Sequence, residues 1–209
     1  MKVMLLHAWP PDESMWARQV SLLREAGFTP FAPRLYGRKA SIDGWAARLL
    51  EELDGPFVAV GASMGGYCAL ALARRAPERV VGMVLAGSKA RADEMQRRVY
   101  RNELIARLRE KGVPDDLDTE VDAQELAVAQ EAMRDRLDLS GVVASFGGPL
   151  LVCVGDSDEL VSVDEARDLA ASAIRGTLEI FEGAGHLLTL EQPERFDAVL
   201  SEFLGQWKT

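Results

Sequence analysis

Of 209 residues only two are cysteine and two histidine. Cys68 and Cys153 fall in apolar patterns on separate predicted elements, where buried reduced thiols are expected and a disulfide is not. No cluster of cysteine and histidine has the spacing of a zinc site, so neither metal nor cofactor is expected. Positive charge is also short: 24 Lys and Arg stand against 33 Asp and Glu, a formal net charge of −9. That balance leaves no electrostatic footprint for nucleic acid or an anionic membrane. No run of 18 apolar residues occurs, which argues against a membrane-spanning helix. Met1 to Leu6 enters a strand pattern at once, without the apolar segment and cleavage site of a secretory leader, and a cytoplasmic chain is expected.

What the chain has is apolar material in a regular rhythm. With 48% hydrophobic residues it can bury one sizeable core, so a single domain over residues 1–209 is expected. Lys2 to Leu6, Thr29 to Ala32, Phe57 to Val60, Val80 to Ala86, Leu150 to Val154 and Thr177 to Phe181 are short apolar runs bounded by Gly, Pro or charge, as buried parallel strands are. Amphipathic stretches lie between them, near Met15 to Ala26, Ile42 to Leu53, Gly65 to Arg74, Val163 to Ala173 and Pro193 to Trp207. The alternation predicts an α/β fold, a mostly parallel sheet covered by helices on both faces. Residues 88–148 interrupt it: they are rich in charge and helix formers and show no strand.

The chemistry concentrates at Gly61-Ala62-Ser63-Met64-Gly65, between the run ending at Val60 and the helical pattern that follows. Glycines on either side of a serine allow a sharp strand-to-helix turn that lifts the hydroxyl clear of the sheet. A serine hydroxyl needs a base, and near pH 7 histidine suits that task. His186 lies in a Gly-punctuated loop, Gly183-Ala184-Gly185-His186, just past a predicted strand. A carboxylate that fixes the imidazole is available at another strand end, Val152-Cys153-Val154-Gly155-Asp156-Ser157-Asp158. Nucleophile, acid, then histidine is the chain order of one of the serine hydrolase folds.

Taken together, these stretches resemble the α/β-hydrolase superfamily, in particular its small carboxylesterase and enol-lactonase-like members. Leu5-Leu6-His7-Ala8-Trp9-Pro10 resembles the family's "HGW-P" stretch, with Ala8 where glycine is usual; Gly183 to His186 resembles its "GAGH" loop. The strand ending "G-x-x-D" maps the acid onto Asp158 and leaves Asp156 second. The resemblance implies a catalytic set of Ser63, Asp158 and His186, and an oxyanion hole from the backbone N–H groups of Trp9 and Met64. It implies that His7 buttresses the oxyanion loop. Two strands usual at the start of the family are missing here, so a sheet trimmed to about six strands is expected, with edges covered by helices, loops or a second subunit. Residues 88–148 occupy the place of the family's helical cap. His7, Met95, Tyr100, Leu160 and Leu187 are candidates for the substrate pocket. Arg34, Arg38 and Lys39 read as a solvated loop in preference to an anion-attracting one.

The function that follows is hydrolysis of a carboxylic ester or lactone through an acyl-enzyme, on a small-molecule substrate, by a monomer or homodimer. The same residues also suit a thioesterase, a carbon-carbon hydrolase or a perhydrolase. A ligand-binding protein with an unused triad belongs to a different class.

Overall fold

A computed structural model describes residues 1–208. Its strands are β1 (Lys2–Leu6), β2 (Thr29–Phe31), β3 (Phe57–Ala62), β4 (Val80–Ala86), β5 (Leu150–Gly155) and β6 (Gly176–Phe181). The helices are α1 (Ala17–Glu25), α2 (Ile42–Glu52), α3 (Met64–Arg75), α4 (Met95–Lys111), α5 (Ala123–Arg134), α6 (Ser140–Ser145), α7 (Val163–Ser172), α8 (Leu188–Glu191) and α9 (Pro193–Leu204). The strands form one sheet of order β2-β1-β3-β4-β5-β6, parallel at every pairing. This is the α/β-hydrolase architecture in trimmed form. Among the described residues no helix is long and apolar enough to cross a membrane.

Alternation along each strand sorts side chains into two layers. Val3, Leu5, Val58 and Val60 join Leu23 of α1 and Phe196, Leu200 and Leu204 of α9 on one face. Met4, Leu6 and Ala59 join Trp45 and Leu49 of α2 and the length of α3 on the other. Each such side chain contributes roughly 1.5–3 kcal/mol on full burial, which is why runs apolar on both faces become central strands. Local signals set the helix starts. Ser41 accepts the Gly44 N–H at 3.0 Å to begin α2, and Ser162 with Glu165 forms a reciprocal capping box at α7. A 3-10 turn at Glu13–Trp16, anchored by the Asp12 side chain on the Ser14 N–H at 2.9 Å, delays α1 to Ala17. The edges need little cover. β2 has three residues and includes Pro30, which offers no donor, and on β6 Arg195 donates to the Ile180 carbonyl at 2.6 Å.

Between β4 and β5 the chain is helical. α4 packs along α5, and the pair is tied to the loop after β4 by charge in a dry place. Asp93 bridges Arg101 and Arg136, all three side chains being at least 95% buried. Burial alone raises the Asp93 carboxyl, but the two guanidiniums outweigh it and hold the group below the usual carboxylate range. Asp93→Asn should therefore lower stability by about 3–5 kcal/mol, because it strands two buried cations. The loss is read as a lower urea midpoint at neutral pH. A folded-state value below the unfolded one means that this contribution is present above about pH 4 and lost as pH falls through the folded value. The stabilities of wild type and variant should therefore converge in acid; a constant difference down to pH 2.5 would contradict the assignment.

Candidate active site

Ser63 sits at the junction of β3 and α3 with φ +48° and ψ −109°. It is the only non-glycine residue with positive φ among those described, so Ala8 carries no such strain. The turn is held from both sides: the Ser63 N–H donates to Ala86 O at 2.8 Å, and the Ser88 hydroxyl donates to Ser63 O at 2.9 Å. The motif's glycines are required by close approach. A Cβ at Gly65 would be driven into the carbonyl of Leu6, and one at Gly61 into the carbonyl of Gly65.

Three strand ends converge here. Ser63 Oγ lies 2.8 Å from His186 Nε2, and His186 Nδ1 lies 2.8 Å from Asp158 Oδ2. The Asp158 side chain is fully buried, the His186 side chain 19% exposed. Burial works to raise the Asp158 carboxyl, but the hydrogen bond and charge of His186, with the N–H groups of Leu160 and Val161, hold it below its ordinary value. It is therefore ionised wherever His186 is required as a base. With the Nδ1 proton directed at Asp158, Nε2 is left to accept from the serine hydroxyl. Asp156 is exposed and accepts the Gly183 N–H at 2.8 Å, bracing the histidine loop.

The backbone N–H groups of Trp9 and Met64 make no hydrogen bond to any described group. His7 is fully buried behind this loop: Nδ1 donates to Ala8 O at 2.7 Å and Nε2 accepts the Leu35 N–H at 2.9 Å. Burial pushes its pKa down, so the neutral ring with one donor and one acceptor suits both contacts. The loop is also gripped from the β4–β5 segment and from Tyr36 in the loop before α2. Trp9 Nε1 donates to Leu126 O at 3.3 Å, and the hydroxyls of Tyr36 and Thr119 both donate to Pro10 O, at 3.0 and 3.2 Å.

The remaining expected pocket residues do not converge in this way. Met95 is 76% exposed and Tyr100 49%, the latter under the Arg97 guanidinium. Leu160 is 42% exposed beside Asp158, and Leu187 packs partly buried against the α1/α9 layer. Arg34 is not a free cation: it bridges Asp12, Glu13 and Glu125, while Arg38 takes Glu52 and the Lys39 carbonyl accepts from Trp45.

Two participants escaped the sequence reading. Ser88 braces the serine turn. Glu191 spans the histidine, accepting the Gly185 N–H at 2.5 Å and the Leu187 N–H at 2.8 Å with its two oxygens. A glutamate five residues after a histidine carries no signal by itself; only the bend into α8 turns it back.

A model described as the alpha/beta hydrolase family matches residues 3–199. Over 92 residues, 41% of this chain and 36% of the relative, the sequence is 36% identical to a pimeloyl-[acyl-carrier protein] methyl ester esterase of Aromatoleum aromaticum. The matches span 36% and 63% of the length of the curated relatives. Among solved structures, a thermophilic esterase from Thermogutta terrifontis is similar with a TM-score of 0.93 and 26% identity, covering 100% of this chain and 91% of that one. The enol-lactonase from Burkholderia xenovorans has a TM-score of 0.82 and 22% identity over 98% of this chain and 91% of that one, a likeness of fold alone.

Proposed function

Because the chain belongs to the alpha/beta hydrolase family, we propose that it is a serine hydrolase that cleaves a small carboxylic ester or lactone through an acyl-enzyme. The observation that carries this reading is the unbroken line from Asp158 through His186 to the Ser63 hydroxyl, with 2.8 Å at each step. In it, Ser63 Oγ attacks the carbonyl carbon while His186 Nε2 takes the hydroxyl proton. The oxyanion forms between the free N–H groups of Trp9 and Met64. His186 then protonates the leaving alkoxide and Asp158 stabilises the imidazolium. Water, deprotonated by the same nitrogen, releases the acid and restores Ser63. For a lactone the leaving oxygen stays on the acyl group.

The segment of residues 88–148 acts as a short cap on this reading. Its hydrogen bonds to Trp9 and Pro10 support this reading, and its brevity favours small to medium acyl groups. The esterase names among the relatives support the ester class.

The test is reaction with a fluorophosphonate followed by peptide mass spectrometry, together with p-nitrophenyl ester kinetics. The expected result is one adduct, on Ser63, and a burst of p-nitrophenol equal to the enzyme followed by steady turnover. An adduct elsewhere with Ser63 unmodified would overturn the nucleophile, and failure to hydrolyse any member of ester and lactone panels would favour a binding protein.

A further inference from the structure

The buried charge cluster beside α3 does not balance. One carboxylate, Asp93, serves two guanidiniums, Arg101 and Arg136. The other acceptors on Arg101 are neutral, the amide oxygen of Gln130 at 2.6 Å and Met133 Sδ at 3.5 Å. Among the described residues no second carboxylate bridges either arginine, so one positive charge is in excess where charge is costly. Arg136 is also incompletely bonded. Its Nη1 donates to Met133 O at 2.8 Å and its Nη2 to Arg91 O at 2.9 Å, while Nε is buried with no partner. The Tyr67 ring, 4.1 Å from the guanidinium carbon, offsets part of the excess and no more.

Arg136 forms part of the wall of a cavity of about 240 Å³. One side is the α3 stripe Tyr67, Leu70, Ala71 and Arg74, whose spacing puts them on one helix face. That stripe begins one turn beyond Ser63 and leads away from it; neither Ser63 nor His186 lines the cavity. Ala132 and Leu139 contribute apolar surface from the β4–β5 segment. The two acids in the wall are already committed, Asp43 to Arg74 and Arg75, and Asp135 to Arg98 and Arg134. Lys89 adds a cation, paired with Glu165 at 2.8 Å.

We propose that this cavity is a second binding site, for a small organic carboxylate whose head meets Arg136 and whose apolar body lies along α3. The head supplies the missing negative charge beside the Arg136 guanidinium; the Leu70, Ala71 and Leu139 surfaces exclude a ligand that is polar throughout. At roughly 30 Å³ per water the volume holds about eight waters, which sets the ligand near eight heavy atoms. The site stands on charge and shape and does not depend on the hydrolytic reading.

Hexanoate has that size and is the probe. Titrated into the full chain in a calorimeter, it should bind saturably, and acetate and hexan-1-ol, which carry the head or the body alone, should bind at least about tenfold more weakly. Ala71→Leu fills the cavity without touching the residues around Ser63, and Arg136→Met removes the surplus cation while leaving Asp93 and Arg101 as a balanced pair. Each should weaken hexanoate by about tenfold or more. Unchanged affinity in Ala71→Leu would move the acid to another site and overturn the proposal, whether or not Arg136→Met folds. Equal affinity for hexan-1-ol, or no saturable binding of hexanoate, would overturn it as well.

Discussion

Ser63→Ala is expected to lower ester turnover roughly a millionfold, the scale found when subtilisin loses its nucleophile, while leaving the stability of the chain nearly unchanged. The two halves of this result have separate causes. Turnover fails because no other hydroxyl occupies the position 2.8 Å from His186 Nε2. Stability persists because the turn is held by backbone and by Ser88: Ser63 N to Ala86 O, Ser88 Oγ to Ser63 O and Gly66 N to Ser63 O all survive the change. Alanine keeps the Cβ, so the strain at φ +48° is the same in both proteins. The His186 nitrogen that loses its partner is reached by water, since its side chain is 19% exposed. Turnover of a p-nitrophenyl ester and urea unfolding, measured on one preparation, check both halves. Retained turnover would remove Ser63 from the chemistry, and a large loss of stability would mean that the hydroxyl holds the turn.

The sheet was legible in the sequence because its central strands are buried on both faces. Phe57 to Val60 and Leu150 to Val154 are uninterrupted apolar runs, and no solvated face dilutes the signal. The elbow was legible for a related reason: Gly61 and Gly65 stand where any side chain would collide with backbone. The β4–β5 segment was not. Its charge reads as solvated surface, yet Asp93, Arg101 and Arg136 are buried together, because charges distant in the chain cancel much of one another's cost only after packing. The spacing of Met95, Tyr100 and Leu104 on α4 permits either a pocket roof or ordinary packing. Ile105 and Leu108 are buried in the core and Leu104 packs partly buried against it, whereas Met95 stands in solvent. Sequence periodicity fixes which residues share a face, but not which neighbour that face meets.

Asp158→Asn is expected to cost about 10,000-fold in kcat, and Asp156→Asn less than tenfold. The reason lies in what each oxygen now accepts. Asp158 Oδ1 takes the N–H groups of Leu160 and Val161, at 2.8 and 3.0 Å, and Oδ2 takes His186 Nδ1. An asparagine has one acceptor, and two backbone donors claim it. Its NH₂ then faces His186 Nδ1, which must accept, and the ring proton moves to Nε2, where it blocks transfer from Ser63. The shape of the site is kept and its direction of proton transfer is lost. Asp156 differs because its Oδ1 only accepts, from the Gly183 N–H at 2.8 Å and the Ser157 hydroxyl at 3.1 Å, and the asparagine oxygen can do both. Both variants are measured at one pH with folding checked by circular dichroism. A large loss confined to Asp156→Asn would reverse the assignment, and near-normal rates in both would show that His186 does not depend on Asp158 for its tautomer.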